Sequence, residues 1–238
     1  MHPHDIVQVE TGRAGNYQHT AYGHKYFPFD PRPEDTCIES IAHHLSCQGR
    51  FNGATQHKEF EDRILYAVSE HSVIVSWYVE TELNQPEYAL EALLHDGSEF
   101  SIGDLIRPLK YSPEFKEPFT NVERRIEAVQ AEAFGLRYPY PAAVKIADEA
   151  VAAAEYNQIL VRDERLEWSS GRLHDDRNVA PYEIKMLQPY QAKMLFLRRF
   201  EELVTVREEY AELPERWHQY KLPMGSRKLS SQEMYSQF

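Results

Sequence analysis

The sequence predicts an all-α fold, a bundle of about six or seven helices with a small β-hairpin at its N-terminus. Two observations favour it. Apolar residues recur at helical spacing over most of the 238-residue chain, and helix start and stop signals lie at the ends of these stretches. A hydrophobic content of 42% is ordinary for a globular protein, and the length suits one helical domain with extensions.

The N-terminal elements follow from local composition. The first 35 residues are rich in aromatic residues, glycine and proline, which predicts a short hairpin followed by a turn. Thr36 and Glu39 have the spacing of a capping box. We therefore expect a helix that starts at Thr36, continues through Leu45 and ends at Gly49.

The remaining helices are predicted from apolar periodicity. They cover residues 64–83, 87–94, 102–108, about 122–134, 141–160 and 189–209. Gly135 has the position of a residue that ends a helix in the left-handed conformation. The 141–160 helix is rich in alanine, so neighbouring helices can approach it closely. We expect a polar surface loop over 163–178 and a frayed tail from Pro223 onward.

Composition argues against some classes of function. The formal net charge is −12, and no stretch gathers lysine and arginine on one face, so long nucleic acid and anionic membranes are not expected partners. We see no apolar run of about 18 residues and no signal-peptide pattern. Cys37 and Cys47 lack a metal-ligand spacing and predict reduced thiols. The expected location is the cytoplasm.

Histidine and aspartate residues that could bind a metal ion recur along these helices. They are His71, His95, Asp96 and Asp148. Glu99 and Asp104 follow the His-Asp pair in an H-D-x-x-E-x-x-x-x-D series. Neutral imidazoles and carboxylates together suit a divalent ion of the Zn, Co, Mn or Fe type, and a buried aspartate needs a charge partner or a metal. A lone histidine on an apolar helix is more often a hydrogen-bonded core residue, so the spacing alone leaves both interpretations open.

Four short segments, in order, resemble the H…HD…D pattern of the HD-domain phosphohydrolases. They are Glu70-His71-Ser72-Val73, Ala92-Leu93-Leu94-His95-Asp96-Gly97-Ser98-Glu99, Gly103-Asp104-Leu105 and Ala147-Asp148-Glu149. Within that superfamily the chain resembles the branch with bacterial deoxynucleoside 5′-monophosphatases and phage dATP triphosphohydrolases. Three upstream segments resemble the phage-associated members in particular: Asp30-Pro31-Arg32-Pro33-Glu34-Asp35, Ile41-Ala42-His43-His44-Leu45-Ser46 and Arg50-Phe51-Asn52-Gly53. The similarity covers roughly residues 29–160.

The resemblance implies an HD-domain helical bundle with three segments. Residues 1–35 would form an N-terminal hairpin extension, 36–160 the catalytic core, and 161–238 a loop and a C-terminal helical extension packed on that core. The implied metal ligands are His71, His95, Asp96 and Asp148. Glu99 and Asp104 would orient the attacking water or donate a proton to the leaving oxygen. For Glu99, the alternative is an exposed glutamate at a helix end.

The resemblance also implies a substrate site. Arg50 would clamp a phosphate and Phe51 would stack on a base or sugar; the alternatives are a surface arginine and a core phenylalanine. Arg107 and Lys110, with Lys116, would neutralise further phosphate charge. Pro108 lies where the phage enzymes shape the base pocket.

The chain departs from the family pattern in two places. Extra polar residues over 56–63 alter the loop after Arg50, and the segment 168–178 is either a lid or an insertion. His174-Asp175-Asp176 repeats the letters of the motif, but it lies in a Ser/Gly-containing loop without apolar helical flanks, so we do not expect it to bind the metal.

The function expected from this resemblance is a metal-dependent deoxynucleotide phosphohydrolase. The first expectation is a dNTP triphosphohydrolase that converts dATP to deoxyadenosine and triphosphate, in phage nucleotide-pool control within the host cytoplasm. The alternatives are a deoxynucleoside 5′-monophosphatase, which shares every metal residue, a catalytically silent nucleotide-binding module, and a structural metal site. The cofactor would be a divalent ion, Co, Mn, Zn, Mg or Fe. The implied partners are a small deoxynucleotide substrate and, in a homo-oligomer, a second copy of the chain.

Overall fold

The computed structural model describes residues 12–166, 178–207, 209 and 211–238, and it is mainly helical with one two-stranded antiparallel sheet. The strands are β1 (Gln18–His19) and β2 (Lys25–Tyr26). The α-helices are α1 (Ile38–Cys47), α2 (Val68–Trp77), α3 (Ala89–Leu94), α4 (Glu99–Ile102), α5 (Arg107–Lys110), α6 (Lys116–Phe134), α7 (Ala142–Gln158), α8 (Pro189–Arg207) and α9 (Ser231–Tyr235). Short 3-10 turns cover Pro33–Asp35, Arg50–Gly53, Pro86–Tyr88 and Glu215–Tyr220.

The centre of the bundle is α2. All ten of its residues are buried, and it packs against α1, α3, α7 and α8. The alanines of α7, among them Ala147, Ala150 and Ala154, are buried against these neighbours. Small side chains let helix axes approach closely, so the alanine-rich sequence of α7 brings its polar residues near α2 as well.

The expected N-terminal hairpin is confirmed. Gln18 pairs with Tyr26 and His19 pairs with Lys25. Tyr26 is buried, and its ring lies edge-on to Phe100 with a centroid distance of 4.6 Å. This contact anchors the small sheet on the helical core.

The predicted start of the first helix is wrong. Thr36 is extended, with φ −76° and ψ 118°, and α1 begins at Ile38. Within the described residues the Thr36 hydroxyl has no hydrogen-bond partner. Glu39 instead accepts a hydrogen bond from the hydroxyl of Tyr220. A long-range contact therefore uses the carboxylate that the capping box required.

The predicted 102–108 helix is also wrong. The chain leaves α4 at Gly103, whose φ of 78° ends the helix. Pro108 then lies in the first turn of α5, where its missing N–H is not needed, so it begins a helix and does not end one. The helix predicted over 64–83 also differs at both ends. The α-helix α2 starts at Val68, and after Trp77 the chain continues as a π-helical turn at Tyr78–Glu82.

The later helices agree with the periodicity. The helix α6 ends at Phe134, and Gly135 takes the left-handed conformation with φ 67°. The expected helices over 141–160 and 189–209 are α7 and α8. In the described part of the chain, none of the helices combines the length and the apolar character needed to cross a membrane.

The expected fraying of the tail from Pro223 onward is wrong for residues 230–238. Ser230 and Glu233 form a capping box at the start of α9. Met234 and Tyr235 are buried, and the Tyr235 hydroxyl donates to Glu70 on α2 at 3.1 Å. The tail is held by packing against the core, which local composition does not reveal. His174-Asp175-Asp176 and most of the 163–178 loop lie outside the described residues.

Candidate metal centre

Three helices bring the predicted ligands together. His71 is in the first turn of α2, His95 and Asp96 follow the last residue of α3, and Asp148 is near the middle of α7. Because α2 packs against both α3 and α7, residues far apart in sequence meet at the centre of the bundle. His71 is fully buried.

A group of three side chains has the geometry of a metal site. Among the described residues, His71, His95 and Asp96 each offer one ligand atom, and these atoms lie within 4.8 Å of one another. Nε2 of His71 is 3.5 Å from Asp96 Oδ2, and Nε2 of His95 is 3.2 Å from Asp96 Oδ1. These residues could hold a divalent cation.

The other ring nitrogen of each histidine fixes its orientation. Nδ1 of His71 donates to Glu155 Oε1 at 2.6 Å, and Nδ1 of His95 donates to the carbonyl of Ala92 at 2.8 Å. Across the part of the chain that the structure describes, both Nε2 atoms are buried without a hydrogen-bond partner. Two unpartnered imidazole nitrogens beside a carboxylate are the donor set that Zn, Co, Mn and Fe ions prefer. The residues present therefore fit such an ion.

Asp148 lies beside this group. Its Oδ1 is 3.4 Å from Nε2 of His71, and its Oδ2 accepts a hydrogen bond from Lys145 at 2.9 Å. The group whose ligand atoms all lie within 4.8 Å does not include Asp148. The fourth predicted ligand, Asp148, therefore reaches the centre by its contact with His71, and Lys145 binds its other oxygen.

The charges at the centre favour a bound cation. Burial opposes ionisation of Asp96, but His95, His71 and Arg50 outweigh it and hold the pKa of Asp96 below its usual value. Burial and Arg50 oppose protonation of His71, yet Glu155 and Asp148 raise its pKa to about 9. Without a metal ion, a proton on His71 balances the surrounding carboxylates, and a divalent ion would take over that charge.

Of the two predicted acid–base residues, Glu99 is buried and Asp104 is half-buried, and both lie close to the same charges. Burial, together with Asp96 and Asp104, raises the pKa of Glu99 well above its usual value. Burial also raises the pKa of Asp104, although Arg50 opposes the shift. Oε2 of Glu99 is buried and lacks a hydrogen-bond partner within the described ranges. A carboxyl group that keeps its proton near neutral pH can act as a general acid.

Arg50 lies at the centre, and its predicted role in phosphate binding stays a prediction. Its Nη2 donates to Glu155 Oε2 at 3.1 Å, and its Nη1 lies 3.5 Å from Asp96 Oδ2. The turn after it holds Phe51 and Asn52 in the left-handed region, with φ of 54° and 53°. Non-glycine residues rarely adopt this conformation, and such strain concentrates at functional sites.

The remaining predicted substrate residues are less closely tied to the centre. Lys110 forms an ion pair with Glu123 at 2.7 Å. Burial lowers the pKa of Lys110, but Glu123, Asp96 and Glu99 together raise it above its usual value. Arg107 is half-buried and Pro108 is exposed at the start of the same short helix. The roles of these three residues stay predictions.

Glu155 was missed by the sequence analysis. It is fully buried on α7 and contacts both His71 and Arg50. It follows Asp148 by seven positions (148 to 155), which is two helical turns, so both carboxylates lie on one face of α7. An acidic residue at that spacing in an alanine-rich helix is the signal that could have found it.

The fold and this centre define a mainly helical protein with a candidate divalent-metal site, and comparisons place the chain in a family. No family model matches the chain. It is 31% identical to the uncharacterized protein YfdR of Escherichia coli over 185 residues, 77% of this chain and 93% of YfdR. It is 34% identical over 149 residues to an uncharacterized protein of Rhodobacter capsulatus, 60% of this chain and 72% of that protein. The chain belongs to the same family as these two proteins.

Proposed function

We propose that the protein is a metal-dependent phosphohydrolase of the HD type that acts on small deoxynucleotides. The observation that carries the proposal is the pair of buried Nε2 atoms of His71 and His95, which face Asp96 and have no hydrogen-bond partner among the described residues. Each nitrogen lies 3.2–3.5 Å from a carboxylate oxygen but makes no hydrogen bond to it, and an unsatisfied buried polar atom is costly. A metal ion satisfies both nitrogens.

The side chains around the centre support hydrolysis of a phosphate ester. In the proposed mechanism a divalent ion would be held by His71, His95, Asp96 and Asp148. When bound, a divalent ion lowers the pKa of a coordinated water and polarises a phosphate oxygen. The guanidinium of Arg50 binds the phosphate from beside Asp96. Glu99, a buried carboxyl group three residues after Asp96, donates a proton to the leaving oxygen, and Asp104 orients the attacking water.

The substrate proposed first is dATP, with deoxyadenosine and triphosphate as products, because the upstream segments resemble the phage enzymes. The charge pattern favours a second candidate, a deoxynucleoside 5′-monophosphatase. Arg50, Lys110 and Lys145 each already contact at least one carboxylate. A triphosphate carries more negative charge than a monophosphate and needs more cationic groups that are not already neutralised.

Product analysis separates these candidates. The full-length protein is incubated with each dNTP and each dNMP in Co²⁺, Mn²⁺, Mg²⁺ or Zn²⁺, and the products are resolved by ion-exchange chromatography. Deoxyadenosine and tripolyphosphate from dATP would support the triphosphohydrolase, and inorganic phosphate from dNMPs alone would support the nucleotidase. The Glu99→Gln variant should bind metal but turn over slowly. Absence of turnover with every substrate would reject the enzyme proposal in favour of a binding module.

A further inference from the structure

We propose that Glu155 is a positioning residue that links the metal site to the phosphate site. One carboxylate holds His71 for the ion and Arg50 for the substrate. The inference deepens the proposed phosphohydrolase function and rests on it for its substrate half. Its test uses binding of Co²⁺ and of inorganic phosphate, so it does not depend on turnover.

The contact with His71 is short and buried. Glu155 Oε1 accepts from Nδ1 of His71 at 2.6 Å, and both side chains are fully buried. A rotation of the imidazole would break its hydrogen bond to this buried carboxylate, and a buried polar group that loses a hydrogen bond is destabilising. The ring is therefore held with Nε2 directed at Asp96 and Asp148, at 3.5 and 3.4 Å from their nearest oxygens.

The same carboxylate occupies one edge of the Arg50 guanidinium. Nη2 donates to Oε2 at 3.1 Å, and Nε lies 3.1 Å from Oε1. The remaining nitrogen, Nη1, is 3.5 Å from Asp96 Oδ2, beyond the usual length of such a hydrogen bond. Nη1 is therefore the donor that can turn to a phosphate placed next to the metal ion.

Without Glu155, Arg50 and the metal ion would compete for the same carboxylates. The guanidinium of Arg50 is buried and interacts electrostatically with Asp96, Asp104 and Asp148 as well as with Glu155. If Glu155 loses its charge, Arg50 has to find its counter-charge among the carboxylates that the metal ion also needs. Glu155 thus keeps the arginine close to the ion without letting it replace the ion.

The chain offers a matched control. Glu70 is also fully buried and precedes His71 directly, but it accepts from the backbone N–H groups of Lys185 and Leu187 and from the Tyr235 hydroxyl. Glu70→Gln removes a buried charge of the same type from the same region. It should lower the melting temperature and leave metal and phosphate binding unchanged.

The experiment measures dissociation constants with the full chain by isothermal titration calorimetry. Glu155→Gln should raise the Kd for Co²⁺ by about 10–100-fold, the usual effect of losing a group that orients a metal-bound histidine. It should also raise the Kd for inorganic phosphate in the Co²⁺-saturated protein. In an Arg50→Met background the same change should still weaken Co²⁺ binding but leave the phosphate Kd unchanged, because no arginine remains to be positioned.

Three results would overturn the inference. Wild-type Co²⁺ affinity in Glu155→Gln removes the link to His71. An equal effect on phosphate binding with and without Arg50 removes the link to the arginine. If Glu155→Gln does not fold, Glu155→Asp keeps the charge but is one methylene shorter and cannot reach both partners, so wild-type affinity for both ligands in that variant would also reject the proposal. If the wild-type protein turns over none of the substrates but the binding results are as expected, only the proposed function is refuted.

Discussion

Alanine at Gly97 would disturb the turn that presents His95 and Asp96. Gly97 follows the pair directly; its N–H donates to the Leu94 carbonyl at 2.9 Å, and its own carbonyl accepts from the buried Gln130 side chain at 3.1 Å. A Cβ at this position would lie 2.6 Å from Gln130 Oε1 and 2.8 Å from the Leu94 oxygen. Both separations are shorter than a van der Waals contact, so neighbouring atoms must move.

The size of the effect follows from which atoms can move. The Gln130 amide is the end of a flexible side chain, but the Leu94 oxygen belongs to the last turn of α3 and cannot turn away. Overpacking of this kind costs about 1–3 kcal/mol, and each kcal/mol shifts the melting temperature of a chain of this size by about 2–4 °C. Because relief of the clash moves the end of α3, Gly97→Ala should also weaken Co²⁺ binding through His95 and Asp96.

Urea unfolding of the metal-free protein, followed by circular dichroism, measures the first effect, and a Co²⁺ titration measures the second. The double variant with Gln130→Ala separates the two contacts. Gly97→Ala should remain destabilising in that background, because the Leu94 carbonyl is still there. A wild-type unfolding midpoint together with wild-type Co²⁺ affinity in Gly97→Ala would show that neither close contact restricts this position.

Three further predictions concern the scaffold. Glu91→Gln should destabilise the protein by about 3–5 kcal/mol in urea unfolding, because it leaves the buried Arg207 guanidinium, now bonded to both Glu91 oxygens, without its counter-charge; a loss below 1 kcal/mol would contradict this. Burial opposes ionisation of Glu80, but Arg199 and Lys228 lower its pKa. The ionised carboxylate therefore stabilises the fold above about pH 4.5, and this stabilisation is lost as the pH falls further. The difference in unfolding free energy between wild type and Glu80→Gln should be larger at pH 7 than at pH 3. Tyr235→Phe removes a hydrogen bond to the buried Glu70 and should cost about 1–3 kcal/mol, measured as a lower urea midpoint; an unchanged midpoint would mean that the tail contributes little.

Elements with a local signal were predictable. Gly135 marks the end of α6 because the left-handed conformation suits glycine, and the periodicity of α7 and α8 is carried by their own residues. Elements that depend on distant contacts were not. Thr36 and Glu39 have the sequence spacing of a capping box, but the Glu39 carboxylate accepts a hydrogen bond from Tyr220, which is distant in sequence. Local composition predicts a frayed tail around Tyr235, because the partner of this residue, Glu70 on α2, is far away in sequence.

In the candidate site, too, residues with a local sequence signal were predicted and a residue that depends on distant contacts was not. His71, His95, Asp96 and Asp148 were predicted in sequence order, and the structure brings them to one centre. Glu155 was missed because its role depends on which face of α7 turns toward α2, and the alanine-rich sequence of α7 gives that face only a weak apolar signal. The orientation of the two imidazoles, set by Nδ1 hydrogen bonds, also requires coordinates.

Calorimetric titration of the metal-free full chain with Co²⁺ shows whether an ion binds between His71, His95 and Asp96. We expect one tight site in the wild-type protein and binding weakened by more than about 100-fold in Asp96→Ala. Binding should be unchanged in His24→Ala, whose imidazole is exposed on the hairpin. Equal Co²⁺ affinity in wild type and Asp96→Ala would contradict the proposed site, because the ion would then be held somewhere other than between His71, His95 and Asp96.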